Sequence, residues 1–367
     1  MNDLPLRLEE TMGQVFCLNL PDKYAYGNLL HQPFDLMPER GIKGRGLALV
    51  GQQVLEFQTA LCVDAKHDYE RLEKIQAYCH HMAVCWKGKK VPPIPEIPKN
   101  PTWEQLEQVE EWKQLARSQR FLPVGYDTSD ASIYGIDLLH TYCYMIWGTK
   151  GSGKTNYMRA CLRAAQKKNG HICIIDGPKK EWKEYKGHAE LTYLTEEEEI
   201  FDYFKELIPE IVKRNQKKQQ LIQEGYGREE IFNHMSKEEP YVIFLPDMIW
   251  FISHVYEAKW DMTGFLENVI EKGSLHHIYF IGELSLEQQS QVQGYPLYEL
   301  FASYKNGIQF GGNLADNPVL TFEYLSFREQ TRREAKGIGQ ISDQETWQNT
   351  KKIIVPLVTG GERDAIY

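Results

Sequence analysis

The spacing of apolar residues predicts alternating strands and helices over the second part of the chain. Largely apolar runs, typical of buried strands in a parallel sheet, lie at 142–147, 171–176, 241–245 and 278–281. Apolar residues three or four positions apart, as on amphipathic helices, occur at 158–165 and from Glu196 to about Glu224. A short β-hairpin is expected at 122–127 and 133–139. This pattern predicts an α/β fold with three layers around a mostly parallel sheet.

The beginning of the chain has a different pattern. Short apolar strands and glycine turns within residues 1–62 return in a similar order near the other end, at 307–314, 337–341 and 353–358. We interpret 1–62 as the closing strands of one module and 121–367 as the whole of a second, although two unrelated β-meanders would give the same layout.

Residues 63–120 lie between these two regions. They contain an amphipathic helical pattern at 64–86, five prolines from Pro92 to Pro101, and a second helix that starts at Thr102 with Gln105 placed to complete a capping box. The segment is predicted to be a helical and proline-rich linker, or else a helical subdomain packed on one neighbour.

Composition narrows the class of protein. Of the 367 residues, 42% are hydrophobic and 25% charged, as in globular proteins, and the net charge of −9 provides no general basic field for nucleic acid. The cysteines form no C-x-x-C pair and are expected to be reduced and buried. A zinc site from Cys79, His80, His81 and Cys85 is the main alternative, but adjacent histidines on a helix point in different directions. No signal peptide is recognisable, and the longest apolar stretch, 241–256, is too short to cross a bilayer.

One motif indicates a specific chemistry. Residues 148–155 fit G-x-x-x-x-G-K-[ST] between a predicted strand and a predicted helix. Such a loop curls so that its amide N–H groups converge on a phosphate at a helix N-terminus, where the helix dipole also favours an anion. Lys154 is expected to reach the β- and γ-phosphates of ATP, and the Thr155 hydroxyl to bind Mg²⁺. The predicted nucleotide-binding residues are Gly148, Thr149, Lys150, Gly151, Ser152, Gly153, Lys154, Thr155 and Asn156.

The acidic half of such a site is incomplete. Nucleotide hydrolysis in this class uses an Asp that holds Mg²⁺ through water and a residue that orients the attacking water. The strand at 241–245 is followed by Pro246, Asp247 and Met248, so either register loses one member of the pair. Asp247 is predicted as the Mg²⁺ and catalytic candidate, and Glu283, after the next strand, as a second catalytic candidate. Whether the chain is an ATP-hydrolysing enzyme is therefore left open.

Other candidate groups carry less information. Five arginines are candidates for a finger that acts on a neighbouring subunit, but the simpler interpretation, which we favour, is that they are solvated helix charges: Arg159, Arg163, Arg328, Arg332 and Arg333. No Ser-His-Asp or Cys-His arrangement stands out, and the pair His276 and His277 is interpreted as a loop before a strand.

These motifs together resemble the FtsK/SpoIIIE-type RecA-like ATPases. The resemblance rests on the phosphate loop, on Asp-Gly-Pro-Lys at 176–179, on Ile-Val-Lys-Arg-Asn at 211–215 and on the closing segment 307–314. Within that group the chain resembles the C-terminal part of the type VII secretion motor, EssC or EccC. The segments 22–26, 44–46 and 56–58 look like the end of a preceding ATPase module.

The resemblance implies a membrane-anchored motor with tandem ATPase modules on the cytoplasmic side of the bacterial cell membrane. Such motors export substrates of the WXG class and larger effectors, and their last modules can bind nucleotide with little turnover while recognising substrates. The implied partners are these substrates or their adaptors and other modules of the same motor. Nucleic acid is not expected, and membrane contact is expected only through a further N-terminal part. The alternatives are an active translocation ATPase that hydrolyses ATP as a hexamer, and a DNA-translocating ATPase.

Overall fold

The computed structural model describes residues 14–88, 95–259, 261–322, 325–342 and 350–358. Contacts divide the chain into two compact units, Met1–Val91 and Pro92–Tyr367. Pro92 and Pro93 of the predicted proline-rich linker lie outside the described residues, and 95–101 form neither helix nor strand.

The first unit contains a small antiparallel sheet. Its described elements are β1 (Phe16–Cys17), α1 (Lys23–Leu30), β2 (Arg45–Val50), β3 (Gln53–Gln58) and α2 (Asp68–Cys85). The strands lie in the order β1-β2-β3, and their small core includes Cys17, Tyr26, Leu30 and Leu47. α2 matches the predicted helix but has no buried residue, and its apolar positions are exposed except for the half-buried Ile75.

The second unit is an α/β domain. Its helices are α3 (Trp103–Gln108), α4 (Glu110–Arg117), α5 (Lys154–Gln166), α6 (Glu197–Gln223), α7 (Arg228–Met235), α8 (Met248–Glu257), α9 (Thr263–Lys272), α10 (Pro296–Ser303) and α11 (Phe327–Gln330). Its strands are β4 (Phe121–Asp127), β5 (Ile133–Asp137), β6 (Cys143–Gly148), β7 (His171–Ile175), β8 (Thr192–Leu194), β9 (Tyr241–Leu245), β10 (Ile278–Ser285), β11 (Gly307–Phe310), β12 (Ile338–Ser342) and β13 (Thr350–Ile354). Single 3₁₀ turns lie at Lys183–Tyr185, Gln289–Gln291 and Leu314–Asp316.

The ten strands found in the described residues of this unit form one sheet, in the order β5-β4-β13-β12-β11-β6-β10-β9-β7-β8. The six from β11 to β8 are parallel, and the remainder are antiparallel. β4 and β5 form the predicted hairpin. Because the carboxyl ends of parallel strands share one edge, the ends of β6, β10, β9 and β7 meet there.

Alternate residues of β6 belong to different cores, which places helices on both faces of the sheet. Tyr144 and Ile146 pack in the core that includes residues of α3, α4 and α5. Met145 and Trp147 pack in the core that includes residues of α6, α8, α9 and α10. The prediction of a three-layer α/β fold with a mostly parallel sheet is therefore confirmed.

The boundary between the two units falls inside the predicted linker, between Val91 and Pro92, so the second half of that segment belongs to the second unit. Trp103, Leu106 and Trp112 are buried in its core, and the indole N–H of Trp112 donates to the Pro123 carbonyl at 3.2 Å. Thr102 and Gln105 form the predicted capping box. The backbone is extended at Val109, so the predicted second helix is two short ones. The module identity of 1–62 and 121–367 stays a prediction.

Two expectations about cysteines have different outcomes. Cys143, Cys161 and Cys173 are buried in strands and helix as predicted, and so is Cys17. The expectation is wrong for Cys62, Cys79 and Cys85, which are exposed. Cys79 and Cys85 lie on α2, which has no buried residue, and Cys62 precedes it. Within the described part of the chain no three His, Cys, Asp or Glu side chains are grouped to hold a metal ion, and no helix is long and apolar enough to cross a membrane.

Candidate nucleotide-binding site

The phosphate loop connects the end of β6 to the start of α5. Gly153 precedes the helix with φ +116°, and a Cβ there would lie 2.9 Å from the backbone nitrogen of Gly337, so only glycine fits this approach. The loop is held at both ends by backbone hydrogen bonds. Thr149 N–H donates to the Phe310 carbonyl at 3.2 Å, and Gly337 N–H donates to the Ser152 carbonyl at 3.1 Å. The curled loop before a helix N-terminus is the arrangement that binds phosphate.

Lys154 and Thr155 direct their polar atoms to one neighbouring carboxylate. The Lys154 ammonium donates to the Thr149 carbonyl at 2.9 Å and lies 3.8 Å from Glu283 Oε1. The Thr155 hydroxyl donates to Glu283, at 3.2 Å from Oε2 and 3.4 Å from Oε1. The two predicted phosphate and Mg²⁺ residues therefore contact the same carboxylate, Glu283 of β10.

Asn156, predicted among the nucleotide-binding residues, makes other contacts. Its Nδ2 donates to the Pro356 carbonyl at 2.9 Å, and its Oδ1 accepts from Val358 N–H at 2.9 Å. Both polar atoms of the side chain are thus used to hold the segment after β13. Its predicted role toward nucleotide stays a prediction.

The end of β9 supplies Asp247 but no second acid. Asp247 is the N-cap of α8, where its Oδ1 accepts from Trp250 N–H at 3.0 Å. Met248 is fully buried, and a Cβ on Gly282 of β10 would lie 2.4 Å from its sulfur. The side chain that follows Asp247 therefore packs into the core and not toward the loop. The second acid that is missing from the sequence at this strand end is not replaced by another polar group of residue 248.

An acidic cavity of about 610 Å³ opens between the loop and these strand ends. Its ionisable lining consists of Asp176, Glu181, Asp247, Glu283 and Glu287 with Lys150, Lys154 and Lys179. Burial raises the pKa of Glu283 to about 7, although Lys154 and the Thr155 hydroxyl oppose this effect. Asp176 is buried and accepts from Trp182 N–H at 2.9 Å and the Tyr193 hydroxyl at 2.8 Å, so it organises the turn after β7.

A second cavity, of about 810 Å³, lies on the other side of the same loop and was not predicted from the sequence. The two cavities share Gly151, Lys154 and Thr155. The second is lined mainly by apolar surface, which includes Pro101, Ile338 and Leu357. Its walls come from four separate segments of the chain, so no local sequence pattern could reveal it.

The candidate arginines are placed in different surroundings. Arg159 pairs with Glu184 at 3.1 Å and its guanidinium lies over the Trp182 ring, which gives it a structural contact within the unit. Arg333 lines a small cavity beside Lys150 and Ser152 of the loop.

His276 and His277 precede β10 as predicted, and burial lowers the pKa of each to about 3, so both are neutral near pH 7.

The parallel sheet, the loop after β6 and the acidic strand ends beside it define a RecA-like P-loop nucleoside-triphosphatase fold. Neither a protein-family model nor a curated protein sequence matches the chain.

Solved structures with this fold include secretion and conjugation ATPases. EssC (ATPases 2 and 3) from Geobacillus thermodenitrificans is similar with a TM-score of 0.62 and 17% identity, over 97% of this chain and 63% of that one. Thermomonospora curvata EccC (ATPases 2 and 3), in complex with a signal sequence peptide, gives a TM-score of 0.54 and 14% identity, over 88% and 54%. The pCW3 conjugation coupling protein TcpA, a monomer form with ATPγS, gives 0.50 and 13%, over 78% and 82%.

The chain thus spans less than two thirds of the EssC and EccC chains that it matches. The predicted resemblance to EssC and EccC is confirmed at the level of the fold.

Proposed function

We propose that this chain is an ATP-binding module of a type VII secretion motor that holds Mg-ATP with little turnover and takes part in the recognition of export substrates or their adaptors. The observation that carries the proposal is the contrast between a complete phosphate loop and an acidic strand end whose second position, Met248, is buried in the core.

Nucleotide binding is supported by the two cavities that meet at the loop. The triphosphate would lie against Lys154 and the loop amides, and the apolar cavity beside Pro101 and Ile338 is of a size and character suited to a nucleoside base. Thr155, with a neighbouring carboxylate, fits Mg²⁺, which binds through one or two protein oxygens together with phosphate oxygens and water. When bound, Mg²⁺ neutralises phosphate charge; the loop orients the nucleotide.

Slow turnover is supported by the positions of the acids. Orientation of a water for attack on the γ-phosphate requires a polar group that faces it. Met248 offers none, and Asp247 uses one oxygen to cap α8. ATP would then stabilise the module or its contact with a neighbour, because a ligand that binds only the folded state adds stability without being consumed.

The partner part of the proposal rests on the neighbours. EssC and EccC are solved as chains with ATPases 2 and 3, and one of these EccC chains holds a signal sequence peptide. We extend this to the present chain as a module that works beside other ATPase modules, on the cytoplasmic side of the membrane, and contacts export substrates. Titration of candidate substrates into the nucleotide-loaded chain tests this part.

Binding and turnover are tested together with Lys154→Ala. At an ATP concentration of 100 Kd, wild-type chain should gain about 2.7 kcal/mol, or about 4 °C in Tm, and the variant should lose this gain. Lys167→Ala is the matched control, because this lysine follows α5 and forms only a half-exposed pair with Glu107.

Steady-state ATP hydrolysis by wild type should not exceed that of Lys154→Ala. Substantial turnover that disappears in the variant would instead favour the active translocation ATPase. Absence of any nucleotide-dependent stabilisation in wild type would remove the proposal as a whole.

A DNA-translocating ATPase is the second candidate, since TcpA is a conjugation coupling protein. The net charge of −9 argues against it. Duplex DNA binding that weakens steeply with salt would favour this candidate.

A further inference from the structure

We propose that Glu283 of β10, and not Asp247 after β9, is the carboxylate that ligates the Mg²⁺ ion of the bound nucleotide, directly and together with the Thr155 hydroxyl. This inference rests on the proposed nucleotide binding and assigns its metal ligand.

The distance between the two oxygens fits ligands of one Mg²⁺ ion. Mg²⁺ binds oxygens at about 2.0–2.1 Å in an octahedron, so neighbouring ligand oxygens are about 3.0 Å apart. Thr155 Oγ1 and Glu283 Oε2 lie 3.2 Å apart. An ion could lie against both oxygens with little movement of either side chain, if the Thr155 hydroxyl kept its proton and turned its O–H away from Glu283.

The strand order explains why the acid comes from β10. β10 lies directly beside β6, and Glu283 pairs in register with Ile146, two residues before the loop begins. β9 lies one strand farther from β6, a difference of about 4.8 Å. Glu283, on the strand next to the loop, contacts Thr155, whereas Asp247 follows the next strand along.

Three other carboxylates of the cavity have different partners. Asp247 caps α8, and Asp176 accepts from Trp182 N–H and the Tyr193 hydroxyl. Glu287 accepts from the Ser285 hydroxyl. Glu283 instead contacts Thr155 and Lys154, the two side chains that the loop directs toward nucleotide.

This arrangement has a consequence for metal-free nucleotide. Without a cation, the Glu283 carboxylate lies where it repels phosphate and engages both Lys154 and Thr155. With Mg²⁺, the same carboxylate becomes a ligand. Nucleotide affinity should therefore depend strongly on Mg²⁺, and this dependence should be largely lost when Glu283 is replaced.

The test measures ATPγS affinity of the full chain by calorimetry in saturating Mg²⁺ and in excess EDTA. Wild type should bind at least about tenfold more tightly with Mg²⁺. Glu283→Gln, which keeps the shape of the side chain, should reduce this gain to less than about threefold and leave metal-free affinity equal or higher. Asp247→Asn is the matched control, because Asn caps a helix as well as Asp, and it should keep the wild-type gain.

A second readout follows the metal directly. The electron paramagnetic resonance titration of Mn²⁺ at saturating nucleotide should give weaker metal binding in Glu283→Gln and unchanged binding in Asp247→Asn. Thermal unfolding without nucleotide should be the same for all three chains, which shows that the fold is retained.

The outcomes separate the two proposals. If wild type binds no nucleotide in Mg²⁺, the proposed function fails and this assignment with it. If wild type binds but Glu283→Gln keeps the full Mg²⁺ gain, or Asp247→Asn loses as much of it, only the assignment of Glu283 is overturned.

Discussion

The ends of β6 and β9 border the same cavity but are differently equipped. The β6 end has a complete phosphate loop, fixed to Phe310 and Gly337 by backbone hydrogen bonds. The β9 end has one acid that caps a helix, followed by a methionine in the core. Phosphate binding relies on backbone amides that any sequence with the right glycines can present. Catalysis needs a particular side chain aimed at a particular point, and a single change of residue removes it.

The strongest test of the difference between the two strand ends introduces the missing acid at the β9 end with Met248→Glu. Met248 is fully buried against Gly282, so a carboxylate there would be buried without a partner. We expect a loss of about 3–5 kcal/mol in the free energy of unfolding and no gain in ATP hydrolysis. Denaturant unfolding and steady-state turnover measure the two effects.

Met248→Leu is the control, since a hydrophobic replacement of similar volume should cost less than about 1.5 kcal/mol. If Met248→Glu folds with near-wild-type stability and gains turnover, position 248 faces the cavity in solution, and the contrast between the two strand ends is wrong.

The loop end is tested by Gly153→Ala. Its φ of +116° and the 2.9 Å approach of a Cβ to the Gly337 nitrogen mean that backbone must move, which should cost about 2–4 kcal/mol. Movement of this loop should also weaken ATP binding by more than about tenfold. Thermal unfolding and calorimetry with Mg-ATP measure these losses.

Gly151→Ala separates strain from crowding. Gly151 has φ +73°, but a Cβ there would meet no atom within 4 Å, so we expect only about 1 kcal/mol of backbone strain. Equal losses in the two variants would mean that the approach to Gly337 does not matter.

Sequence reasoning located the parts of this site that depend on local pattern. The strand, loop and helix around 148–155 lie within a short segment, and the limits of α6 agree with its spacing of apolar residues and its acidic first turn. The same reasoning predicted that Asp247 has no acidic neighbour. Each of these conclusions needs only residues that are close along the chain.

It could not predict contacts between distant segments. Thr155 and Glu283 are 128 positions apart, and the apolar cavity joins residues near 100 to residues near 338 and 357. The helices α7 to α10 had no predicted bounds. Nothing local distinguishes Trp103 and Trp112, which enter the core of the second unit, from the apolar residues of α2, none of which is buried. Amphipathic spacing reports that a face is apolar but not what covers it.

The smallest expected effect concerns Asn156, directly after Thr155, the predicted Mg²⁺ residue. Its side chain bonds Pro356 and Val358, about 200 residues away, and so ties α5 to the segment after β13. Asn156→Ala should cost about 1–2 kcal/mol of folding stability, because two hydrogen bonds to backbone are lost. ATP affinity should change by less than about threefold, since neither polar atom is available to phosphate.

Thr155→Ala provides the opposite pattern for comparison. It should leave stability nearly unchanged and reduce the Mg²⁺-dependent part of ATP affinity, because its hydroxyl contacts only Glu283 among the described side chains. If Asn156→Ala weakens ATP binding as much as Thr155→Ala does, Asn156 releases Pro356 and Val358 when nucleotide binds. The nucleotide-binding segment that begins with the phosphate loop would then extend one residue further along α5, to Asn156, as the sequence predicts.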